Sequence, residues 1–254
     1  MRVFAISDIH VDYEDNYRWI NNLSCFDYQD DILILAGDVT DMIPLFKKTL
    51  KSLRERFLEV FFVPGNHDLW VKRSHVKHSL EKLKLIKTIT ADCGIRMEPF
   101  YLTSLSIIPL LGWYDYSFEL PSQEIFETWA DYTACKWPKS CDVNSITQYF
   151  IAMNEPFITI NNTNQFIISF SHFLPRIDIM PVYIPNDKRS LYPVLGTSLL
   201  EKQIRKLSSK IHIYGHSHVN NQVRKDNTLY INNAFGYPYE TLITKKELKC
   251  IIEI

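Results

Sequence analysis

Residues 32–41, ILILAGDVTD, decide the fold, because a short aliphatic run passes through a glycine directly into a carboxylate. An apolar run of this length, bounded by a polar turn, is typical of a buried strand. The glycine allows a sharp turn, after which Asp38 and Asp41 follow the strand's carboxyl end. The same plan, a buried strand that ends in polar side chains, recurs along the chain.

Four further apolar runs have the pattern of buried strands: VFAIS, VFFVPG, FIISFS and KIHIYG. Segments between them have helical period. The first, residues 42–58, places five apolar side chains on one stripe: Leu45, Phe46, Leu50, Leu53 and Phe57. The second, SLLEKQIRKL, does the same with Leu199, Ile204 and Leu207. Strand and helix alternate through roughly the first ninety residues, which predicts an α/β domain.

The remainder of the chain has a looser pattern. Residues 97–112 predict paired strands, residues 145–160 a helix, and residues 228–234 and 242–254 further strands. No internal repeat, low-complexity tract or linker interrupts the sequence. We therefore predict a single domain over residues 1–254, with an aromatic-rich insertion at about 113–142.

The amino-acid composition limits which binding partners and which cellular compartment are expected for this protein. A net charge of −1 gives no basic excess, which argues against a nucleic-acid polymer as substrate. The five cysteines are scattered without a CxxC pair, as in proteins of a reducing compartment. The N-terminal run is too short for a signal peptide and no later run has the length of a membrane span. The sequence thus predicts a cytoplasmic protein with no membrane partner.

Polar side chains follow each of the five predicted strands. They are Asp8 and His10; Asp38 and Asp41; Asn66, His67 and Asp68; His172; and His216 and His218. Ligands collect at the carboxyl ends of strands in open α/β sheets, so the five clusters should converge on one crevice. Imidazoles and carboxylates together suit Zn²⁺, Mn²⁺ or iron, and the seven candidate ligands among these ten side chains exceed what one tetrahedral ion can use. Two divalent ions that share a carboxylate would use them all.

Each cluster taken alone has an ordinary alternative. Asn, Asp and Gly tolerate turn conformations, so GNHD alone is compatible with a simple turn, as is the tripeptide DIH. The complete set in this order favours the metal site. Gly37, Gly65 and Gly215 stand beside three of the clusters and are expected to let the backbone approach the site closely.

The ordered set Asp-x-His, Gly-Asp-x-x-Asp, Gly-Asn-His-Asp, a single His and Gly-His-x-His resembles the motifs of the calcineurin-like metallophosphoesterases. The resemblance extends from Asp8 to His218. It implies an α/β fold, a four-layer α/β/β/α sandwich of two mixed β-sheets flanked by helices. It also implies a two-metal site at one edge of that sandwich.

The resemblance also assigns roles to residues. It implies that one ion is held by Asp8, His10, Asp38 and His218, and the other by Asp38, Asn66, His172 and His216. Asp38 would bridge the two ions, and a hydroxide between them would attack phosphorus. His67 would lie over the substrate without binding metal and, paired with Asp41, would give a proton to the leaving group.

Departures from better-known branches bear on the substrate. The protein Ser/Thr phosphatase branch has an arginine after the second aspartate and Gly-Asn-His-Glu, whereas this chain has GDVTDMI and GNHD. We therefore expect a small phosphodiester or phosphomonoester substrate, a nucleotide among the candidates, rather than a phosphoprotein. A nuclease would share the metal motifs, but the charge balance argues against it. The alternative from another class is a non-catalytic scaffold of this fold, which the retention of every ligand position disfavours.

Three residues are weaker candidates for substrate binding. Trp113 and Tyr116 belong to the aromatic insertion, whose rings would stack on a nucleobase or else form a satellite hydrophobic cluster. Arg176 follows His172 by four residues and would bind a phosphate oxygen, with a solvated surface position as the alternative. His212 alternates with Ile211 and Ile213, and we expect it to face away from the core.

Overall fold

The computed structural model describes residues 1–159 and 166–254 of the chain. The strands in these residues are β1 (Arg2–Ile6), β2 (Ile32–Leu35), β3 (Glu59–Phe62), β4 (Phe100–Tyr101), β5 (Leu105–Pro109), β6 (Phe166–Phe170), β7 (Ile211–Tyr214), β8 (Asn221–Lys225), β9 (Thr228–Asn232) and β10 (Lys249–Glu253). The helices are α1 (Glu14–Asn21), α2 (Ile43–Arg54), α3 (Ser79–Asp92), α4 (Gln123–Thr128), α5 (Asp131–Ala134), α6 (Val143–Ile158) and α7 (Ser198–Leu207).

The first sheet has the strand order β10-β1-β2-β3. β1, β2 and β3 are parallel, and β10 pairs with β1 in the antiparallel sense. Every residue of β2 is buried, as expected for an aliphatic run covered on both faces. The parallel arrangement places the carboxyl ends of the first three strands on one edge, where the first three polar clusters begin.

The second sheet has the order β4-β5-β6-β7-β9-β8. Its four central strands are parallel, and β4 and β8 are antiparallel strands at the two edges. A parallel bridge between Ser7 and Ala234 connects the end of β1 to the end of β9. The amide of Phe235 also donates to the Ser7 carbonyl at 2.8 Å. The two sheets therefore adjoin where their strands end.

Helices cover the sheets through the apolar stripes that the sequence predicts. Helix α2 buries Phe46, Leu50 and Leu53, although it ends at Arg54, earlier than the predicted segment. Helix α7 spans the predicted SLLEKQIRKL and buries Ile204. The two mixed sheets flanked by helices confirm the predicted α/β sandwich. In the described residues, no helix has the length and hydropathy needed to cross a membrane.

The expectation for His212 is wrong. Its side chain is 0% exposed and its ring nitrogens bind the hydroxyls of Ser169 and Ser171, at 2.9 and 3.1 Å. The physical reason is that β7 is an interior strand whose residues are all buried, so the face opposite Ile211 is covered as well. This burial lowers the pKa of His212 to about 3, which keeps the ring neutral.

Candidate metal centre

Side chains from the ends of four strands, β1, β2, β6 and β7, meet in two overlapping groups. The first group, whose ligand atoms lie within 4.8 Å of one another, is Asp8, His10, Asp38 and His218. The second is Asp38, His172 and His216. All six side chains are buried, and Asp38 belongs to both groups. The predicted convergence of the strand-end clusters is therefore present in the structure.

The spacing within the first group suits a metal ion. The Nε2 atoms of His10 and His218 are 3.0 Å apart, and His218 Nε2 is 3.3 Å from Asp8 Oδ1. His10 Nε2 lies 3.9 Å from Asp38 Oδ2. Ligand atoms around a tetrahedral Zn²⁺ with bonds of about 2.0–2.1 Å are roughly 3.3 Å apart. The four side chains thus enclose a space of the size that a divalent ion requires.

The second group has the same spacing and includes an amide. His172 Nε2 is 3.1 Å from His216 Nδ1 and 3.5 Å from Asp38 Oδ2. The amide oxygen of Asn66 lies 3.1 Å from His172 Nε2. Asn66 therefore presents its oxygen to the second group, as the resemblance implies.

The two groups contain four histidines. In three of them, the ring nitrogen that points away from the group lies within hydrogen-bond distance of an acceptor. His172 Nδ1 lies 2.9 Å from the Ala36 carbonyl, and His216 Nε2 lies 3.0 Å from the Val194 carbonyl. His218 Nδ1 is 2.7 Å from the Glu240 carboxylate. An acceptor on that side holds a proton on the outward nitrogen, so the inward nitrogen of a neutral ring keeps its lone pair. This arrangement is typical of metal-binding histidines.

The backbone at the site adopts unusual conformations. Positive φ angles occur at Asp8 (53°), His10 (36°), Asp38 (57°), His216 (66°) and His218 (51°). Non-glycine residues rarely adopt this left-handed region, and such strain concentrates at functional sites where the surrounding structure enforces it. Here the enforcement comes from backbone bonds between the strand ends, such as Asp8 N to Gly37 O at 2.9 Å and His10 N to Asp38 O at 3.0 Å.

The glycines beside the clusters allow close packing, as predicted. A Cβ atom at Gly65 would overlap the carboxylate of Asp38, and one at Gly215 would lie 2.7 Å from Asp8 Oδ2. Gly37 has a φ of +86°, which side chains disfavour. Larger residues would push the carboxylates out of place at Gly65 and Gly215, and the His172 ring out of place at Gly37.

The electrostatics of the cluster favour a cation. Burial raises the pKa of Asp38 well above its usual range, and the nearby Asp8 carboxylate adds to the effect. Burial lowers the pKa of His172, and that of His216 to about 3, so both rings are neutral. Burial opposes protonation of His218, but Asp8 and Glu240 outweigh it and raise its pKa to about 9. A bound cation would favour the ionised form of Asp38 and would displace the proton from His218.

A family model for calcineurin-like phosphoesterases matches residues 1–220, which include all seven candidate ligands. The chain belongs to the calcineurin-like phosphoesterase family. It is a metal-dependent phosphoesterase, a hydrolase, as the sequence predicts.

One protein with a similar sequence is named as a phosphodiesterase. The chain is 26% identical over 261 residues to the [acyl-carrier-protein] phosphodiesterase PptH of Mycobacterium tuberculosis, and the alignment covers 94% of this chain and 78% of PptH. The crystal structure of phosphopantetheinyl hydrolase (PptH) from the same organism has a TM-score of 0.81 and 20% identity, covering 99% of this chain and 95% of that one. The similarity of the two structures supports the fold described above. PptH is named as a phosphodiesterase, which agrees with the departure from the protein phosphatase branch.

In this calcineurin-like phosphoesterase, a cavity of about 180 Å³ opens over the two groups. The residues that line it are Asp38, Asn66, His67, Trp129, Leu191, His216, Ser217, His218, Tyr237 and Glu240. The wall therefore combines candidate ligands with aromatic and aliphatic side chains, which suits a phosphoryl group attached to an organic part.

His67 lies at the cavity without belonging to either group. Its ring stacks on Trp70 with centroids 3.7 Å apart, and its Nε2 is 4.0 Å from Asp38 Oδ2. Its backbone amide donates to Asp38 Oδ1 at 2.9 Å. The position of His67 beside the metal groups is compatible with the role that the resemblance implies.

The predicted pairing of His67 with Asp41 is wrong. Asp41 Oδ1 accepts a hydrogen bond from Nε of Arg73 at 2.7 Å, and a second guanidinium nitrogen also contacts it. Arg73 in turn binds Asp12 at 2.6 Å. The loop after Trp70 places Arg73 over the turn that holds Asp41. The guanidinium of Arg73 therefore binds the carboxylate that was expected to bind the imidazole of His67. Asp41 therefore has a structural partner outside the two metal groups.

Trp113 and Tyr116 do not line the cavity at the metal groups. Trp113 is 1% exposed and packs against Trp137 and Phe173, with ring centroids 5.0 Å away in both cases. The hydroxyl of Tyr116 lies 2.7 Å from that of Tyr132. Trp113 and Tyr116 line a separate cavity of about 200 Å³. The hydrophobic-cluster alternative is thus correct for Trp113, since its ring fills the core.

Arg176 does not reach the cavity at the metal groups either. Its guanidinium binds Asp178 at 2.5 Å and Glu201 at 3.1 Å, and it lies 3.3 Å from Asp226. Three carboxylates surround the arginine, so the charge that would bind a phosphate is already balanced. Arg176 therefore does not line the cavity at the metal groups, and its contact with substrate stays a prediction.

Sequence reasoning missed three residues that support the site. Glu240 holds His218 and also accepts from the Tyr237 amide at 2.7 Å. Tyr237 places its ring 4.6 Å from that of His10 and 4.9 Å from that of His218. Asp131 accepts from the Asn66 amide at 2.9 Å. Glu240 and Tyr237 lie in the stretch FGYPYE beyond the motifs, where the glycine and the aromatic residues were the only signal.

Proposed function

We propose that this phosphoesterase uses two divalent ions that share Asp38. One ion is held by Asp8, His10, Asp38 and His218, and the other by Asp38, Asn66, His172 and His216. The observation that carries the proposal is that a single buried carboxylate belongs to both groups. Imidazole, carboxylate and amide donors together suit Mn²⁺, Fe or Zn²⁺.

The chemistry that such a pair of ions supplies is activation of a water nucleophile and neutralisation of charge on the phosphoryl oxygens. The chain's own residues hold the geometry for that chemistry. Strand ends with enforced left-handed backbone fix Asp8 and Asp38, and the tied outward nitrogens fix His172 and His216. Trp129 and Leu191 line the cavity and limit the access of bulk water to it.

His67 is the proposed proton donor to the leaving group. Burial, reinforced by nearby His218, lowers the pKa of His67. A phosphate anion in the cavity would raise that pKa again, because a nearby negative charge favours the imidazolium. The stack on Trp70 holds the ring in place, so His67 can be charged by the substrate that needs its proton.

The proposed substrate is the phosphodiester bond that attaches phosphopantetheine to a carrier protein. The likeness to PptH supports this choice, and so does the surface beside the cavity. Tyr239 is 71% exposed and Leu242 99% exposed, and both flank Glu240 in the cavity wall. Exposed apolar side chains next to a reaction site suit a protein-sized partner better than a small phosphate ester.

The test combines metal binding with turnover. Metal-stripped protein is titrated with Mn²⁺ by calorimetry and incubated with a pantetheinylated carrier protein, and released phosphopantetheine is measured by mass spectrometry. We expect two ions per chain and release of phosphopantetheine. Asp38→Asn should lose both ions and the activity, because the shared position needs a charged oxygen for each ion, whereas the exposed Asp30→Asn should keep both.

Two results would contradict the proposal in different ways. Saturation at one ion would refute the two-ion site. Hydrolysis of nucleotides or phosphomonoesters without any release from the carrier protein would refute the substrate and leave the two-ion phosphoesterase intact.

A further inference from the structure

We infer that Asp131, in the aromatic insertion, is a positioning residue for the second ion. Asp131 is the first residue of helix α5 and is 2% exposed. Its Oδ1 accepts from the amide nitrogen of Asn66 at 2.9 Å and from the indole of Trp70 at 2.6 Å. Its Oδ2 accepts from the indole of Trp129 at 2.9 Å. One buried carboxylate thus ties the insertion to residues of the metal groups.

The bond to Asn66 decides which end of the amide faces the ion. Only the amide oxygen can bind a cation, and a half-turn of the amide would put the NH₂ group there instead. The Trp70 indole can only donate, so Oδ1 of Asp131 faces both the indole and the amide as an acceptor and selects the NH₂ end of Asn66. The oxygen is thereby directed toward His172 Nε2, 3.1 Å away. Asp131 thereby fixes which end of the Asn66 side chain, the oxygen or the NH₂ group, faces the ion.

The two indoles extend this effect to the rest of the cavity. Trp70, bound by Oδ1, stacks on the ring of His67 with centroids 3.7 Å apart. Trp129, bound by Oδ2, meets the His216 ring edge-on at 5.9 Å. Asp131 therefore fixes a candidate ligand, the support of the proposed proton donor and the wall beside a second ligand.

The insertion consequently has a role at the metal groups. Asp131 lines the separate aromatic cavity that contains Trp113 and Tyr116, and it also binds Asn66 at the metal groups. Because the position of Asn66 depends on α5, the affinity for the second ion should depend on the insertion. The dependence should be selective, since the hydrogen bonds that the Asp131 carboxylate makes in the described residues with Asn66, Trp70 and Trp129 do not go to the first group.

Since this role rests on the proposed two-ion site, the test begins with the wild-type stoichiometry. Metal-stripped Asp131→Asn is titrated with Mn²⁺ beside the wild type, and the two dissociation constants are compared. We expect the second constant to be 10- to 100-fold weaker and the first to be unchanged. The matched control is Asp142→Asn at the far end of the insertion, where asparagine caps α6 as well as aspartate does.

Exchange of the side chains at positions 66 and 131 tests whether Asp131 orients Asn66 or only supports the local fold. In the double variant Asn66→Asp with Asp131→Asn, the amide donates to the new carboxylate at position 66, whose other oxygen faces the ion. We expect the swap to recover second-ion affinity lost in Asp131→Asn. If Asp131→Asn does not fold, Asp131→Glu is measured in the same way, since its extra methylene displaces the carboxylate from Asn66.

The outcomes are distinguishable. One ion in the wild type refutes the proposed function itself. Two ions with unchanged constants in Asp131→Asn, equal weakening of both ions, or no recovery in the swap would each overturn the positioning role of Asp131.

Discussion

Asp68 is expected to hold the site together without touching metal. It is 0% exposed, and its two carboxylate oxygens each accept two backbone N–H groups. Oδ1 binds the amides of Val39 and Thr40 at 2.9 and 3.1 Å. Oδ2 binds the amides of Asp38 and Gly65 at 2.8 and 2.9 Å. One side chain thereby joins the turn after β2 to the turn after β3.

Asp68→Asn keeps the size of the side chain and replaces one acceptor oxygen by an NH₂ donor. Whichever way the amide points, two buried backbone N–H groups lose their acceptor. Each unsatisfied buried donor costs about 1–3 kcal/mol, so the two together predict a loss of about 2–6 kcal/mol in the free energy of unfolding. Against a typical total of about 5–15 kcal/mol this is a large share.

The assay is urea unfolding followed by tryptophan fluorescence, with EDTA present so that metal binding does not add to stability. Asp30→Asn, an exposed position, is the control and should stay within about 0.5 kcal/mol of the wild type. Metal affinity should fall as well, because the same bonds hold the turn in which Asp38 has a φ of 57°. A loss below about 1 kcal/mol in Asp68→Asn would falsify the assignment of Asp68 as the brace between the two turns.

Two further changes test the roles of an aromatic and an imidazole side chain. His67→Ala should keep both ions and lower kcat by about 10²- to 10⁴-fold for a poor leaving group, with a much smaller loss for a nitrophenolate ester. Equal losses for the two substrates, or loss of metal, would show that His67 is not the proton donor. Trp113→Ala should lower the free energy of unfolding by about 3–5 kcal/mol because the ring fills the core, which chemical denaturation measures. Full stability combined with a raised KM would instead place Trp113 in contact with substrate.

The sequence by itself determined the fold class and the strand ends that supply the metal groups, and the resemblance implied which of the side chains there are ligands. Short aliphatic runs such as ILILAG specify buried strands through local hydrophobicity, and the next residues are then at the strands' carboxyl ends. The ends of parallel strands share an edge, so Asp8 and Asp38 lie together once β1 and β2 are parallel. His216 follows β7 of the second sheet and reaches them because the two sheets adjoin where their strands end. Local pattern sufficed to place these clusters because covalent connection to a strand end fixes the position of each one.

Tertiary structure alone decided which partners surround those ligands. Asn66 and Asp131 are 65 residues apart and His218 and Glu240 are 22 apart, and no local period encodes either bond. The same holds for Asp41. Its carboxylate binds Arg73, which lies 32 residues further along the chain, and not His67. Such contacts depend on how loops pack across the ends of both sheets. The identity of a strand-end ligand is a local property of the chain, whereas the hydrogen bond that orients it exists only after distant segments have packed together.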